Sequence, residues 1–296
     1  MHTWTAENGR GPYLTYADLS RDSIDFASAI AGKGYTGIVG VPRSGLIAAS
    51  QVAVFLGLPL LTLNPAGRVQ TVGGGLRMKK KAAVLPSNKK LLVLEDSCAS
   101  GRSMRNVKDK LKHDNRTVEY GAIYATPHTT DLLDVWHKEL PLPHWFEWNW
   151  PGNWYFNAHL GLGCDWDGIL NRDFTAEEDD DGDLYIKTMM DMTPSLVVSP
   201  IKLGFIVTAR LEKYRSYCEY WLKRNGMQVD KLIMGPWATK EERAGRCMGS
   251  WKADMLEEHG VGLYIESCPA QARVISRRRD TPVICPVLGK SLVRGV

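Results

Sequence analysis

Leu91, Leu92, Val93 and Leu94 form an unbroken apolar run between Lys90 and Glu95. A strand with one face in water alternates apolar and polar residues, so a short continuous run reads as a strand buried on both faces of a parallel sheet. It ends in the acid pair Glu95 and Asp96. Ser97, Cys98, Ala99, Ser100, Gly101, Arg102 and Ser103 follow as a turn of small and hydroxyl-bearing residues, and residues 104–111 then show helical spacing. Open α/β sheets bind ligands outside the carboxyl ends of their strands. The segment therefore sets two carboxylates, suited to sugar hydroxyls, beside a turn and a helix amino terminus suited to a phosphate.

The same grammar runs through the chain. Strand-like runs at 37–41, 91–94 and 119–124 alternate with helical patterns at 17–30, 47–56 and 104–112, and runs at 162–164, 203–207, 231–234 and 261–265 repeat the logic in the second half. This alternation predicts an α/β protein of two consecutive doubly wound parallel-sheet domains. The length of 296 residues agrees with two domains of roughly 150 residues each. The boundary is expected at residue 158, giving domains 1–158 and 159–296. Residues 141–156 mix Pro and Gly with a concentration of aromatics, and Trp145, Trp148 and Trp150 are read either as packing or as walls of a nucleobase pocket.

Upstream, the strand at 37–41 ends in Pro42, Arg43, Ser44 and Gly45, a tight turn able to offer N–H groups and a guanidinium to an anion. Together with residues 91–103 this resembles the type I phosphoribosyltransferases, whose signature for phosphoribosyl pyrophosphate (PRPP) is a buried strand, two acids and a small-residue loop. The resemblance implies that Glu95 and Asp96 hold the ribose 2′- and 3′-hydroxyls. Ser97, Cys98, Ala99, Ser100, Gly101, Arg102 and Ser103 would cradle the 5′-phosphate, and Arg43, Ser44 and Gly45 would face pyrophosphate. Residues 68–81, with Gly73, Gly74, Gly75, Arg77, Lys79, Lys80 and Lys81, resemble the mobile loop that closes over PRPP; an ordinary solvated loop is the alternative.

In the second half Asp165, Trp166, Asp167 and Gly168 end the run at 162–164. At a strand end the chain is leaving the sheet, so two carboxylates two residues apart can converge on one phosphoryl group. The pattern resembles motif I of the haloacid dehalogenase (HAD) superfamily, with Asp165 as nucleophile and Asp167 as general acid and base. Thr208, ending an apolar run, Lys252, and Glu266, ending another, match motifs II, III and IV in order. The resemblance implies a Rossmann-like second domain that hydrolyses phosphomonoesters, with Mg²⁺ held by Asp165, Asp167 and Glu266. Motif IV usually carries two acids, whereas Glu266 is followed by Ser267, so one metal-ligating carboxylate is lost or replaced through water.

The remaining features exclude more than they suggest. A net charge of +4 is too small to require nucleic acid as a partner. The six cysteines show no Cys-x-x-Cys spacing, so neither a zinc site nor a redox motif is indicated. No apolar run is long enough to span a bilayer and the first residues do not resemble a signal peptide, so a cytoplasmic protein is expected. Residues 177–183 partly fit a calcium loop, but the twelfth position is Thr188 where a bidentate Glu is needed. An exposed flap is the better reading. His128 follows the strand at 119–124 and could reach a base.

The expectation from both resemblances is a bifunctional enzyme. One half would transfer phosphoribose from PRPP to a nucleobase-like acceptor, and the other would dephosphorylate a small molecule. A PRPP-sensing binding protein is the alternative, a modified base within a polynucleotide is a further possible acceptor, and a homodimer stays open.

Overall fold

The computed structural model describes residues 12–73, 89–142, 144–149, 161–195 and 201–294. They fall into two compact units, one spanning Leu14–His144 and the other spanning Trp145–Val296 and taking in Tyr13. The expected boundary at 158 lies outside the described residues, as do Trp150, Gly74, Gly75, Arg77 and Lys79 to Lys81.

In the first unit, six strands, β1 (Gly37–Gly40), β2 (Leu60–Leu63), β3 (Val69–Gly73), β4 (Lys90–Cys98), β5 (Thr117–Ala125) and β6 (Val135–Glu139), form one sheet in the order β3-β2-β1-β4-β5-β6. All neighbours are parallel except β2 and β3. Leu91 to Leu94 are wholly buried, as a central strand covered on both faces requires. Helix α1 (Tyr16–Ile30) begins at a capping box in which the Thr15 side chain accepts from the Asp18 N–H and Asp18 binds back to the Thr15 backbone. Its buried residues Leu19, Ser23, Phe26, Ala27 and Ile30 recur at three- and four-residue spacing. It packs on α2 (Gly45–Leu56), which packs on β1 and β4. Helix α3 (Arg102–Leu111) sets Val107 and Leu111 against Val39, Leu91 and Val93.

The second unit has a sheet of β7 (Leu162–Cys164), β8 (Ile201–Leu211), β9 (Met227–Gly235), β10 (Leu263–Ile265), β11 (Val283–Cys285) and β12 (Lys290–Leu292), ordered β9-β8-β7-β10-β11-β12. All neighbours are parallel except β11 and β12. The core contains one cluster that includes α4 (Asp183–Asp191) and α5 (Arg215–Arg224) through Tyr185, Met189, Cys218 and Trp221. A second cluster joins Val207, Ile233 and Tyr264 to α7 (Met248–Glu258) and α8 (Pro269–Arg278) through Ala253, Leu256, Ala272 and Ile275. The short α6 (Lys240–Ala244) precedes α7.

Both halves are thus α/β units with mixed, mainly parallel sheets. Residues 69–73, expected within a flexible loop, are instead an antiparallel edge strand against β2. Trp145 is buried in the second unit's core with Tyr13, Leu162 and Trp166, so packing is its role and a nucleobase wall is not. Trp148 stacks on Phe146 at 4.7 Å. The acidic segment is tied down by its own protein. Asp179 meets Lys240, Asp180 accepts from the Gly182 and Tyr185 N–H groups, and Asp181 accepts from Tyr214 Oη at 2.6 Å.

Candidate functional site

In the first unit the order of connection reverses between β1 and β4, where a doubly wound sheet leaves a crevice. The turn at 42–44 leaves β1 and the acid pair lies near the end of β4, so the two sequence motifs meet there. Gly45 makes the approach possible: a Cβ on it would lie 2.9 Å from the Leu94 carbonyl oxygen and 3.1 Å from Glu95 Cα. The Val41 N–H donates to the same Leu94 carbonyl at 3.1 Å. Arg43 is exposed and Ser44 partly so.

Glu95 and Asp96 are both buried, yet they do not end the strand, because β4 continues through Ser97 and Cys98 paired with Tyr124 and Ala125. Burial pushes the Glu95 carboxyl up to about 7, against a hydrogen bond with Ser103 and with some help from the Asp96 charge. Among the described residues Ser97 Oγ has no hydrogen-bond partner although it is buried, as suits a group awaiting a ligand. Cys98 departs from expectation. Its side chain lies in an apolar cluster with Met104, Ala122 and Leu133, so only its backbone can belong to a phosphate cradle. Ala99 and Ser100 form the turn proper, Gly101 stands before α3 at φ +71°, and Arg102 and Ser103 are exposed in its first turn.

Three residues absent from the sequence reading hold this loop. Thr129 Oγ1 donates to the Cys98 carbonyl at 2.6 Å, Thr126 Oγ1 to the Ala99 carbonyl at 2.9 Å, and Arg105 Nη1 to the Ser100 carbonyl at 3.0 Å. His128 lies in the same turn as the two threonines and is exposed.

In the second unit the reversal falls between β7 and β10, and the four motif positions gather there. Lys252 Nζ lies 2.7 Å from both Asp165 Oδ2 and Glu266 Oε2. Burial and then the charge of Glu266 push the Asp165 carboxyl well above the usual carboxylate range. Burial opposes the Lys252 charge, but Asp165 and Glu266 outweigh it and hold its pKa above the ordinary lysine value. Thr208 is fully buried and its hydroxyl accepts from the Arg210 N–H at 3.2 Å. The irregularity in β8 pairing between Thr208 and Leu211 turns the chain locally at this point. Arg210, also missed in sequence, is buried over the Trp166 ring and donates Nη2 to Asp167 Oδ1 at 2.6 Å and Nε to Oδ2 at 3.1 Å. Ser267 Oγ donates to the Asp167 carbonyl at 2.8 Å.

This geometry corrects the expected metal set. Both Asp167 oxygens accept from Arg210, and Lys252 stands between Asp165 and Glu266. Among the described residues, the group bringing three ligating atoms within 4.8 Å of one another is Asp22, Asp25 and His137, and there Asp22 is already taken by Tyr124 Oη and Lys138 Nζ. The carboxylates of Asp165, Asp167 and Glu266 therefore do not fit Mg²⁺ as a three-acid site in this arrangement.

Residues 21–157 match the family model described as the phosphoribosyl transferase domain. A phosphoribosyltransferase domain thus occupies the amino-terminal part of the chain, a little under half of it, and the residues beyond 157 lie outside that match. Among solved structures, the chain is similar to a purine phosphoribosyltransferase from Pyrococcus horikoshii, with 20% identity over 47% of this chain and 95% of that one and a TM-score of 0.36. It is similar also to the Helicobacter pylori xanthine-guanine-hypoxanthine phosphoribosyltransferase, with 16% identity over 46% of this chain and 91% of that one and a TM-score of 0.33. Orotate phosphoribosyltransferase from Aeropyrum pernix gives 20% identity, coverage of 38% and 61%, and a TM-score of 0.28. No curated protein matches the chain in a sequence comparison. Among the described residues no helix is long and apolar enough to cross a membrane.

Proposed function

We propose that the first unit transfers phosphoribose from PRPP to a nucleobase-like acceptor. The observation that carries this reading is the contact at Gly45, which brings the Arg43–Ser44 turn against the Glu95–Asp96 segment. The acids accept the ribose hydroxyls and the 97–103 loop receives the 5′-phosphate. The bond from C1′ to the pyrophosphate oxygen breaks, a bond from C1′ to an acceptor nitrogen forms, and the proton that nitrogen loses passes to water. Arg43 and the N–H groups of its turn stabilise the charge that grows on departing pyrophosphate. Mg²⁺ enters as the counter-ion of PRPP and so belongs to the substrate.

The second unit is proposed as a phosphomonoester hydrolase, on the observation that Asp165, Lys252 and Glu266 meet within 2.7 Å contacts at the crevice. In this step an Asp165 oxygen attacks phosphorus in its ionised form, the leaving oxygen takes a proton from water because both Asp167 oxygens are engaged by Arg210, and a second water then releases the phosphate. Fusion with the first unit suggests that phosphate removal draws the reversible transfer forward. Incubation with PRPP, Mg²⁺ and a panel of bases, read by mass spectrometry, tests both activities. Pyrophosphate and a nucleotide mark the transfer, and free phosphate marks the hydrolysis. PRPP binding without pyrophosphate release would instead favour a PRPP sensor.

A further inference from the structure

The turn after β5 braces the phosphate loop from behind. Thr126 and Thr129 are buried almost without exposure, and neither lies within the sequence motif they touch. Thr129 Oγ1 donates to the Cys98 carbonyl and accepts from the Thr126 N–H at 3.2 Å, while Thr126 Oγ1 donates to the Ala99 carbonyl. Leu132 closes the same contact, since a Cβ on Gly101 would come within 2.4 Å of Leu132 Cδ1. A trans peptide is planar, with its N–H pointing opposite to its carbonyl. Anchoring the Cys98 and Ala99 carbonyls on one side therefore aims the N–H groups of Ala99 and Ser100 to the other.

We propose that Thr129, assisted by Thr126, is a positioning residue for the 5′-phosphate of PRPP: it touches no ligand and acts by fixing the peptide planes whose N–H groups receive the phosphate. This rests on the reading of residues 97–103 as the phosphate loop. Valine keeps the shape of threonine but removes the hydroxyl donor, which trades the short 2.6 Å anchor of the Cys98 carbonyl for the longer 3.3 Å bond from the Thr126 N–H and loosens that peptide plane. The phosphate does not react, so its contacts are made in substrate and transition state alike, and their loss raises KM for PRPP with little change in kcat.

Calorimetry of Thr129→Val with two probes tests the proposal, ribose 5-phosphate for this loop and Mg²⁺-pyrophosphate for the Arg43 turn. Ribose 5-phosphate should bind roughly tenfold more weakly, the scale of one charge-assisted hydrogen bond. Pyrophosphate affinity should stay within about twofold of wild type, and Thr129→Ser, which keeps the hydroxyl, should restore ribose 5-phosphate binding. If the valine variant does not fold, Thr126→Val makes the same test at the Ala99 carbonyl. Unchanged ribose 5-phosphate binding, or equal loss of both probes, overturns the positioning role. A wild type that binds pyrophosphate but not ribose 5-phosphate overturns the loop reading itself, and the role of Thr129 with it.

Discussion

The two units put their acids at equivalent places, beside the central strands where the order of connection reverses, and burial raises one carboxyl in each, Glu95 and Asp165, but what faces the acids differs. In the first, Glu95 is buried beside Asp96, takes a hydroxyl contact from Ser103, and has a carboxyl pushed up to about 7 by burial. In the second, the acids face buried cations, with Lys252 between Asp165 and Glu266 and Arg210 across Asp167. A buried carboxylate with a fixed cation is held in place before any ligand arrives. A buried carboxyl met by a hydroxyl, as Glu95 is by Ser103, instead gains a reason to bind when sugar hydroxyls satisfy its ionised form. The contrast fits a crevice for a polyhydroxyl ligand in one unit and a charge-locked crevice in the other.

The largest test of this contrast is Lys252→Ala. It leaves Asp165 and Glu266 buried together without their shared cation, and breaking such a network costs about 3–5 kcal/mol. Thermal denaturation should show the second unit losing stability by that order, while PRPP binding by the first is unchanged. A shift within about 0.5 kcal/mol, the scale of an ordinary surface change, would mean that the cation is not locking these acids.

Gly45→Ala comes next. The new Cβ would press on the backbone of Leu94 and Glu95, which cannot swing aside as a flexible side chain could. Overpacking of this kind costs about 1–3 kcal/mol, and pyrophosphate affinity should fall as the turn is displaced. Wild-type affinity together with wild-type stability would show that the turn and the acid pair are not closely apposed.

The smallest effect lies in pH. A Glu95 carboxyl raised to about 7 holds its proton in the folded protein where the unfolded chain has lost it. Its contribution to stability is therefore present at low pH and disappears as pH rises from the ordinary carboxylate range through about 7. Ligand binding runs the other way if the carboxylate is the acceptor of ribose hydroxyls. PRPP affinity should rise about tenfold per pH unit toward 7 and then level off. Glu95→Gln, which cannot titrate, supplies the profile of PRPP's own ionisation, and only the difference between the two profiles is assigned to Glu95. Parallel profiles would remove Glu95 from the binding event.

The parts that were legible in sequence share one physical cause. Leu91 to Leu94 lie in a strand buried on both faces, so they read as an apolar block, and the chemistry beside them is written in consecutive residues. Val69–Gly73 and Val135–Glu139 went unread because they are edge strands whose partly exposed residues break that pattern. Thr126, Thr129 and Arg210 act on residues 27, 31 and 43 positions away, and no local spacing encodes such contacts. Arg210 did carry one faint signal, a guanidinium embedded in the apolar run that ends in Thr208 and Leu211. Without it the three acids of the second unit looked like a metal cage, whereas its two hydrogen bonds to Asp167 draw that carboxylate out of the set.

The central claim is that the acid pair of the first unit receives the ribose of PRPP, and calorimetric titration of Mg²⁺-PRPP into wild type and Asp96→Asn tests it most directly. A neutral amide accepts hydrogen bonds from hydroxyls less strongly than a carboxylate does. The mutant should therefore bind Mg²⁺-PRPP roughly tenfold or more weakly, with pyrophosphate affinity unchanged because that anion meets the Arg43 turn. Undiminished, Mg²⁺-dependent PRPP binding by Asp96→Asn would contradict it.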